Sequence, residues 1–361
     1  SEQLVRYLEL HGWGFEPDVV ILYCGNNDAS ISGFQNDREL MRKQRLSQLR
    51  ALLSRTALYR VLRAALAPGC SSAPSQEMAL QVRVTPDQYG ENLATIAEQC
   101  HRRDCPLIIV KPPVPLRWPA GLQFKPFRRL KGSDEQLIVP QPLAECLDRP
   151  IRYCLDRERL PAGYADADKF TRLVYASAYW DTLPPAEAIS FYNEQLRVDP
   201  CSPTLWNNLG VACWESKRYA EADSCLHKAR QESERAFDSL PDPASHALGT
   251  VFLFNIGINL LSAARYDSVT LQSDTTLAFA YLDSALQEDY LSLRVKRSYL
   301  EQIDSLGEEW ENVTVVDMPT VFAQNGGEAL FIDHCHPTAE GHRLIAQEIF
   351  EAMKTGLTVH E

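Results

Sequence analysis

Three short runs of branched aliphatic residues, far apart in the chain, set the first limit on how it can fold. Val19-Val20-Ile21-Leu22-Tyr23, Leu107-Ile108-Ile109-Val110 and Val313-Thr314-Val315-Val316 each follow a stretch with helical spacing. A continuous apolar run of this length, bounded by turn residues, reads as a strand buried on both faces, as in a parallel sheet. The stretches before them supply covering helices: Leu4, Tyr7 and Leu8 in 2–10, Leu93, Ile96 and Ala97 in 89–102, then 291–306. Residues 338–353, with Leu344, Ile345, Ile349 and Met353 on one face and Thr338 as N-cap, add a closing helix. Helix-then-strand alternation predicts an α/β fold whose sheet is covered by helices on both faces.

The chain has 361 residues and a mass of 40.7 kDa, so two or three domains are expected at about 150 residues each. With 36 Lys and Arg against 48 Asp and Glu, the net charge is −12, which disfavours nucleic acid as a partner. Hydrophobic residues make up 45% and charged residues 23%, enough to bury cores and against a disordered chain. No apolar run approaches the roughly 18 residues of a membrane span. Ten cysteines, at 24, 70, 100, 105, 146, 154, 201, 213, 225 and 335, form no C-x-x-C pair. Neither a zinc module nor a dense disulfide framework is indicated, and the redox compartment stays open. Position 1 is Ser, and the helix of 2–10 begins without a start signal, so we expect the sequence to be cut into, with any signal peptide or anchor upstream.

Between the strand-bearing ends lie two regions of different character. Residues 112–165 carry nine prolines, too many for regular elements, and read as a long loop or lid. Its Arg117, Lys125, Arg128, Arg129 and Lys131 either steer an acidic substrate or are simply solvated. In 169–236, a shift of 34 positions superposes Ala176 on Gly210, Tyr179 on Cys213, Ala188 on Ala222 and Tyr192 on Leu226. The second copy, Trp206-x-x-Leu209-Gly210 with Tyr219, Ala222 and Ala229, resembles the tetratricopeptide pattern, whose small residues let antiparallel helices pack closely. A third, irregular unit runs from Phe254-Asn255-Ile256-Gly257 to 278–286, interrupted by a polar stretch. Such repeats need neighbours to bury their faces, so they imply an all-α array and a surface for a protein partner. Residues 38–63 alternate Arg38, Arg42, Lys43, Arg45, Arg50, Arg55, Arg60 and Arg63 with leucines. They read as a covering helix with a solvated basic face, or as a contact for a membrane surface or an anionic glycan.

Chemistry gathers at two places. The first strand ends in Cys24-Gly25-Asn26-Asn27-Asp28, a glycine and polar side chains just past a carboxyl end, where open α/β sheets bind ligands. Gly25 permits close backbone approach, and an Asn amide there can donate to a developing oxyanion; the bland alternative is an Asx turn. Ser30 and Ser32 just beyond read as turn or cap residues. The second place is Asp333-His334-Cys335-His336-Pro337 before the closing helix. A carboxylate three residues before a His can hydrogen-bond Nδ1–H and leave Nε2 as a base. A metal held by Asp333, His334, Cys335 and His336 is the alternative, as is a loop with solvated histidines. Because adjacent residues rarely converge on one ion, no metal is expected.

Gly25-x-Asn27-Asp28 after an apolar strand, together with Asp333-x-x-His336-Pro337 before the last helix, resembles the third and fifth signature blocks of the SGNH (GDSL-like) hydrolase superfamily. The resemblance implies a three-layer α/β/α sandwich with a parallel, flavodoxin-like sheet. It divides the chain into a first core part (1–115), a Pro-rich lid or linker (116–168), a helical-repeat insertion (169–302) and a last core part (303–361). By the same resemblance Asn27 is an oxyanion-hole donor with Gly25 shaping the pocket, Asp333 the orienting acid and His336 the general base. Asp28, in the same turn, and Arg117 of the Pro-rich segment are candidates for substrate contact. The implied activity is serine ester hydrolysis without a cofactor, on a small ester or an O-acetylated glycan, and the implied setting is a bacterial cell envelope or periplasm. The rival reading is a repeat-based protein-binding scaffold with an inactive hydrolase-like core. The family's nucleophile lies in a Gly-Asp-Ser-like block near the first core strand, which residues 1–361 lack. Ser1 falls after that point and is a poor candidate, so the nucleophile is expected upstream and this chain alone is expected to be inactive.

Overall fold

The computed structural model describes residues 1–30, 36–42, 82–118, 127–129, 138–140, 149–150, 152, 183–237, 243–266, 275–289 and 293–357. In chain order the elements are α1 (Glu2–Leu10), β1 (Val20–Leu22), α2 (Pro86–His101), β2 (Leu107–Lys111), β3 (Phe127–Arg129) and β4 (Ile138–Pro140). Helices α3 (Pro185–Val198), α4 (Pro203–Glu215), α5 (Tyr219–Phe237), α6 (Pro243–Tyr266), α7 (Thr275–Glu288) and α8 (Arg297–Glu309) follow. The chain closes with β5 (Val313–Asp317), α9 (Met318–Asn325) and α10 (Ala339–Leu357). The fold is mixed α/β: mostly helical, with a small three-stranded parallel sheet of order β1-β2-β5.

Two compact units emerge, one of Ser1–Pro112, Arg297–Met318 and Gln347–Glu361, the other of Pro113–Lys296 and Pro319–Ala346. In the first, Val20 pairs with Leu107, and Leu107 with Val313, in parallel register. Helix α2 starts at a reciprocal capping box in which Thr85 Oγ1 accepts from Gln88 N at 3.3 Å and Gln88 Oε1 from Thr85 N at 3.2 Å. Its Leu93, Ile96 and Ala97 are buried, as are Leu107 to Val110 of β2 and Ile303 of α8. Tyr299 of α8 donates to Val84 O at 2.6 Å and lies 5.4 Å from Tyr89, centroid to centroid. The first strand corrects one expectation. β1 stands at the edge of the sheet, and Ile21 and Tyr23 are exposed while Leu22 is buried, so only one face of this run is packed. A second correction concerns α8, which begins at Arg297 rather than near 291. Arg294 is drawn out of helical spacing because its fully buried guanidinium binds Pro115 O at 2.8 Å, Trp118 O at 3.2 Å and Asp289 at 3.4 Å.

In the second unit α3 to α7 pack as antiparallel neighbours around Ala188, Tyr192, Leu209, Leu226, Ile256 and Leu282. Two hairpins use the same close approach. A Cβ on Gly210 would sit 2.8 Å from Leu226 Cγ and 3.2 Å from Ala222 O; one on Gly257 would sit 2.7 Å from Leu282 Cγ and 3.0 Å from Ala278 O. The irregular third unit read from the sequence thus packs as the second one does. Asn207, Asn208, Asn255 and Asn259 are fully buried between these helices, and Asn255 Nδ2 donates to Asn207 Oδ1 at 2.7 Å. The Pro-rich segment, expected to lack regular elements, contains the short antiparallel pair β3–β4. Residues 43–63 of the basic stretch, residues 169–182 of the first repeat copy, and Ser32 lie outside the described residues. Residues 37–42 are helical, and Arg38 bonds Glu91 at 2.7 Å.

Candidate functional site

In the second unit, the loop between the 3₁₀ turn Gly327–Leu330 and α10 is closed by its own backbone. Ile332 N donates to His336 O and Thr338 N to Leu330 O, each at 2.8 Å, and Phe331 bridges Pro337. Thr338 Oγ1 then accepts from Gly341 N at 3.2 Å, capping α10 where the sequence predicts the cap. Inside this loop Asp333 Oδ1 accepts from Cys335 N at 3.0 Å and His336 N at 2.9 Å, an Asx turn that fixes the carboxylate. Both its oxygens lie 2.9 Å from His336 Nδ1. The imidazole is therefore held through Nδ1–H, and Nε2 is the nitrogen left for chemistry on a ring that remains 68% exposed. Burial pushes the Asp333 carboxyl up, but the two backbone N–H donors, His336 and His334 outweigh it, so the group stays below the ordinary Asp range.

Behind this dyad lies a buried polar layer. Glu328 Oε1 accepts from Leu116 N at 2.8 Å and Arg117 N at 3.0 Å, while Arg294 holds the carbonyls of Pro115 and Trp118. Segment 115–118 is thus gripped by one carboxylate and one guanidinium. Burial raises the Glu328 carboxyl above its usual range despite the Arg117 and Leu116 N–H groups and the two arginine charges. The Trp118 ring, fully buried, lies 5.9 Å from the His334 ring, and His334 lies 6.0 Å from His336. Among the described residues, the one His/Cys/Asp/Glu group close enough to share an ion is Asp333, His334 and Cys335, with donor atoms within 4.8 Å of one another. Two features oppose a cation there. Asp333 already serves His336 and two amides, and burial, with the Asp333 charge, pushes the Cys335 thiol up to about 12.

The first unit holds the other cluster. Gly25 has φ +133°, a conformation that L side chains rarely adopt, and its carbonyl accepts from Ala29 N at 3.1 Å. Asn27 O accepts from Ser30 N and Ser30 Oγ, the latter at 2.7 Å, so Ser30 is a turn residue as expected. The Asn27 side chain is exposed and makes no hydrogen bond among the described residues. Asp28 is buried instead: it accepts from the Ser1 nitrogen and from Ser1 Oγ at 2.8 Å, and Asn92 Nδ2 donates to that same hydroxyl at 3.0 Å.

Each candidate residue thus has a place. Asp333 and His336 come together as the spacing implies; Gly25, Asn27 and Asp28 form a separate turn in the other unit. Asp28 is occupied by Ser1, and the Arg117 guanidinium lies 3.8 Å from Glu328. Sequence reasoning missed Glu328, Arg294 and Trp118, and weighed His334 only as a metal ligand. The signal available for Glu328 was the preceding Gly326-Gly327 pair, a turn marker whose two residues both adopt positive φ. No family model matches the chain, and no curated protein or solved structure matches it either.

Proposed function

We propose that this chain carries the general base and an oxyanion donor of an SGNH-type serine ester hydrolase, acting on acyl or O-acetyl esters, with an acylated glycan as the substrate class. The observation that supports it most is the Asp333–His336 pair: a carboxylate fixed by two amides, an imidazole gripped at Nδ1, and an exposed ring. In that mechanism His336 Nε2 takes the proton of an attacking serine and returns it to the leaving alcohol, and Asp333 stabilises the imidazolium. Asn27, exposed beside Gly25, donates to the oxyanion. The reaction calls on no metal or organic cofactor. The parallel order β1-β2-β5 supports an α/β/α sandwich, and the matched packing of Gly210 and Gly257 supports tetratricopeptide-like repeats.

The nucleophile belongs to a Gly-Asp-Ser-like block absent from residues 1–361, so the assay is run on the complete translation product. Hydrolysis of p-nitrophenyl acetate is expected to fall by about 10⁶-fold in His336→Ala, the loss that removal of a triad base produces. Equal rates in the two proteins overturn the mechanism. A second reading, a protein-binding scaffold, draws on the two equivalent hairpins around Gly210 and Gly257. It is favoured if the complete product shows no His336-dependent turnover yet retains a helical-repeat partner.

A further inference from the structure

The seven described cysteines are free thiols, and four of them meet in pairs: Cys100 with Cys105 in the first unit, Cys213 with Cys225 in the second. The first pair is sealed. Both its cysteines are buried, Cys105 Sγ–H donates to Pro17 O at 3.4 Å, and burial pushes the Cys100 thiol up to about 12. The second pair lies across the α4–α5 hairpin. Cys213, in the last turn of α4, is buried among Ala212, Leu209 and Ala222, and Cys225 of α5 packs on the same cluster while staying partly exposed. Gly210, one turn earlier, brings the two helices close, and Cys213 O accepts from Ser216 N at 3.1 Å and Arg218 N at 2.9 Å, pinning the turn between them.

We propose that Cys213 and Cys225 are a dithiol modification site that takes a small-molecule disulfide, such as oxidised glutathione, and closes into a bond stapling α4 to α5. The two thiols also perturb each other. The Cys225 S–H facing Cys213 lowers the Cys213 thiol, with the Arg218 charge adding to it against burial, while the same contact and burial raise Cys225. The oxidant reaches Cys225, the more exposed sulfur. Cys225 loses its proton to solvent base and attacks one sulfur of the disulfide, and the first glutathione leaves as a thiolate. Cys213 then gives up its proton and displaces the second glutathione. Two protein thiols are oxidised to one disulfide, and oxidised glutathione is reduced to two thiols.

The test treats the full chain with oxidised glutathione, alkylates remaining thiols under denaturing conditions and digests with trypsin without reduction. Lys217 and Arg218 lie between the two cysteines, so the bridge appears as two linked tryptic peptides, lighter by two hydrogens than the separate pair. Cys201 shares a tryptic peptide with Cys213, so fragmentation must assign the bond to residue 213. Expected are a Cys213–Cys225 bond reversed by dithiothreitol, alkylated Cys100 and Cys105, and no linked peptide in Cys225→Ser. The proposal is overturned if Cys213 and Cys225 are recovered alkylated, if the bond falls on Cys201, if the linked species persists in Cys225→Ser, or if Cys100 and Cys105 oxidise first.

Discussion

Two turns in this protein carry an aspartate, and they spend it differently. Asp28, closing the Gly25 turn, is buried and used up holding Ser1, with Asn92 completing the chain of hydrogen bonds. Asp333, closing the loop after Phe331, satisfies its oxygens with two local amides and an imidazole whose ring stays largely in solvent. The first arrangement converts a carboxylate into fold stability; the second converts it into orientation of an imidazole. The sequences look alike, a carboxylate beside polar neighbours after an apolar run. What separates them is whether the partner is a buried group distant in the chain or an exposed histidine three residues away.

The sharpest way to break this contrast is to replace each carboxylate and ask which property fails. Asp333→Asn keeps the shape but holds the imidazole in the wrong tautomer, so the ester hydrolysis proposed above should fall by about 10⁴-fold. Its thermal midpoint should drop only slightly, since the Asn side-chain oxygen still accepts from the Cys335 and His336 amides. Steady-state kinetics beside a melting curve checks both; a fold lost together with the activity would show that Asp333 is structural. Asp28→Ala should do the reverse. It leaves the buried Ser1 hydroxyl and Asn92 without their carboxylate, which costs about 1–3 kcal/mol. Urea unfolding should show that loss, and an unchanged midpoint would mean that Ser1 finds water instead.

Local chemistry was legible in the sequence, and long-range chemistry was not. The strands at Val20, Leu107 and Val313 were readable because branched runs between turn residues have few other ways to fold. The Asp333–His336 contact was readable because a spacing of three brings the groups together within one turn. Glu328 was invisible because its partners, Leu116 and Arg117, lie 212 and 211 positions away. Arg294 misled the helix reading for the same reason: apolar spacing from Leu291 continues smoothly, but a buried guanidinium with two distant carbonyl partners outweighs it. The exposure of Ile21 and Tyr23 escaped notice because periodicity reports that a run is apolar, not how many of its faces are covered.

The smallest effect offers the finest version of the comparison, because Glu328 and Asp333 lie five positions apart and are pushed in opposite directions. Asp333 is held below its ordinary range, so in the native state it binds a proton less readily than in the unfolded chain. Its contribution to stability is complete above the unfolded value of about 3.9 and is lost as pH falls through the lower native value. Glu328 is raised by burial, so the native state binds the proton more readily. Its favourable contribution is complete below the unfolded value of about 4.3 and is lost as pH rises through the higher native value. In Glu328→Gln the acceptor for Leu116 and Arg117 N–H survives while the ionisation is gone, so this variant should gain on the parent as pH climbs from about 4 toward neutrality. Asp333→Asn should lose ground over the acidic end of the same range and then run parallel. Unfolding free energies measured across about pH 3–8 would show two difference curves sloping in opposite directions. Curves of the same sign would mean that burial, rather than hydrogen bonding, governs both carboxylates, and Asp333 would then be no better prepared to orient a histidine than Glu328 is.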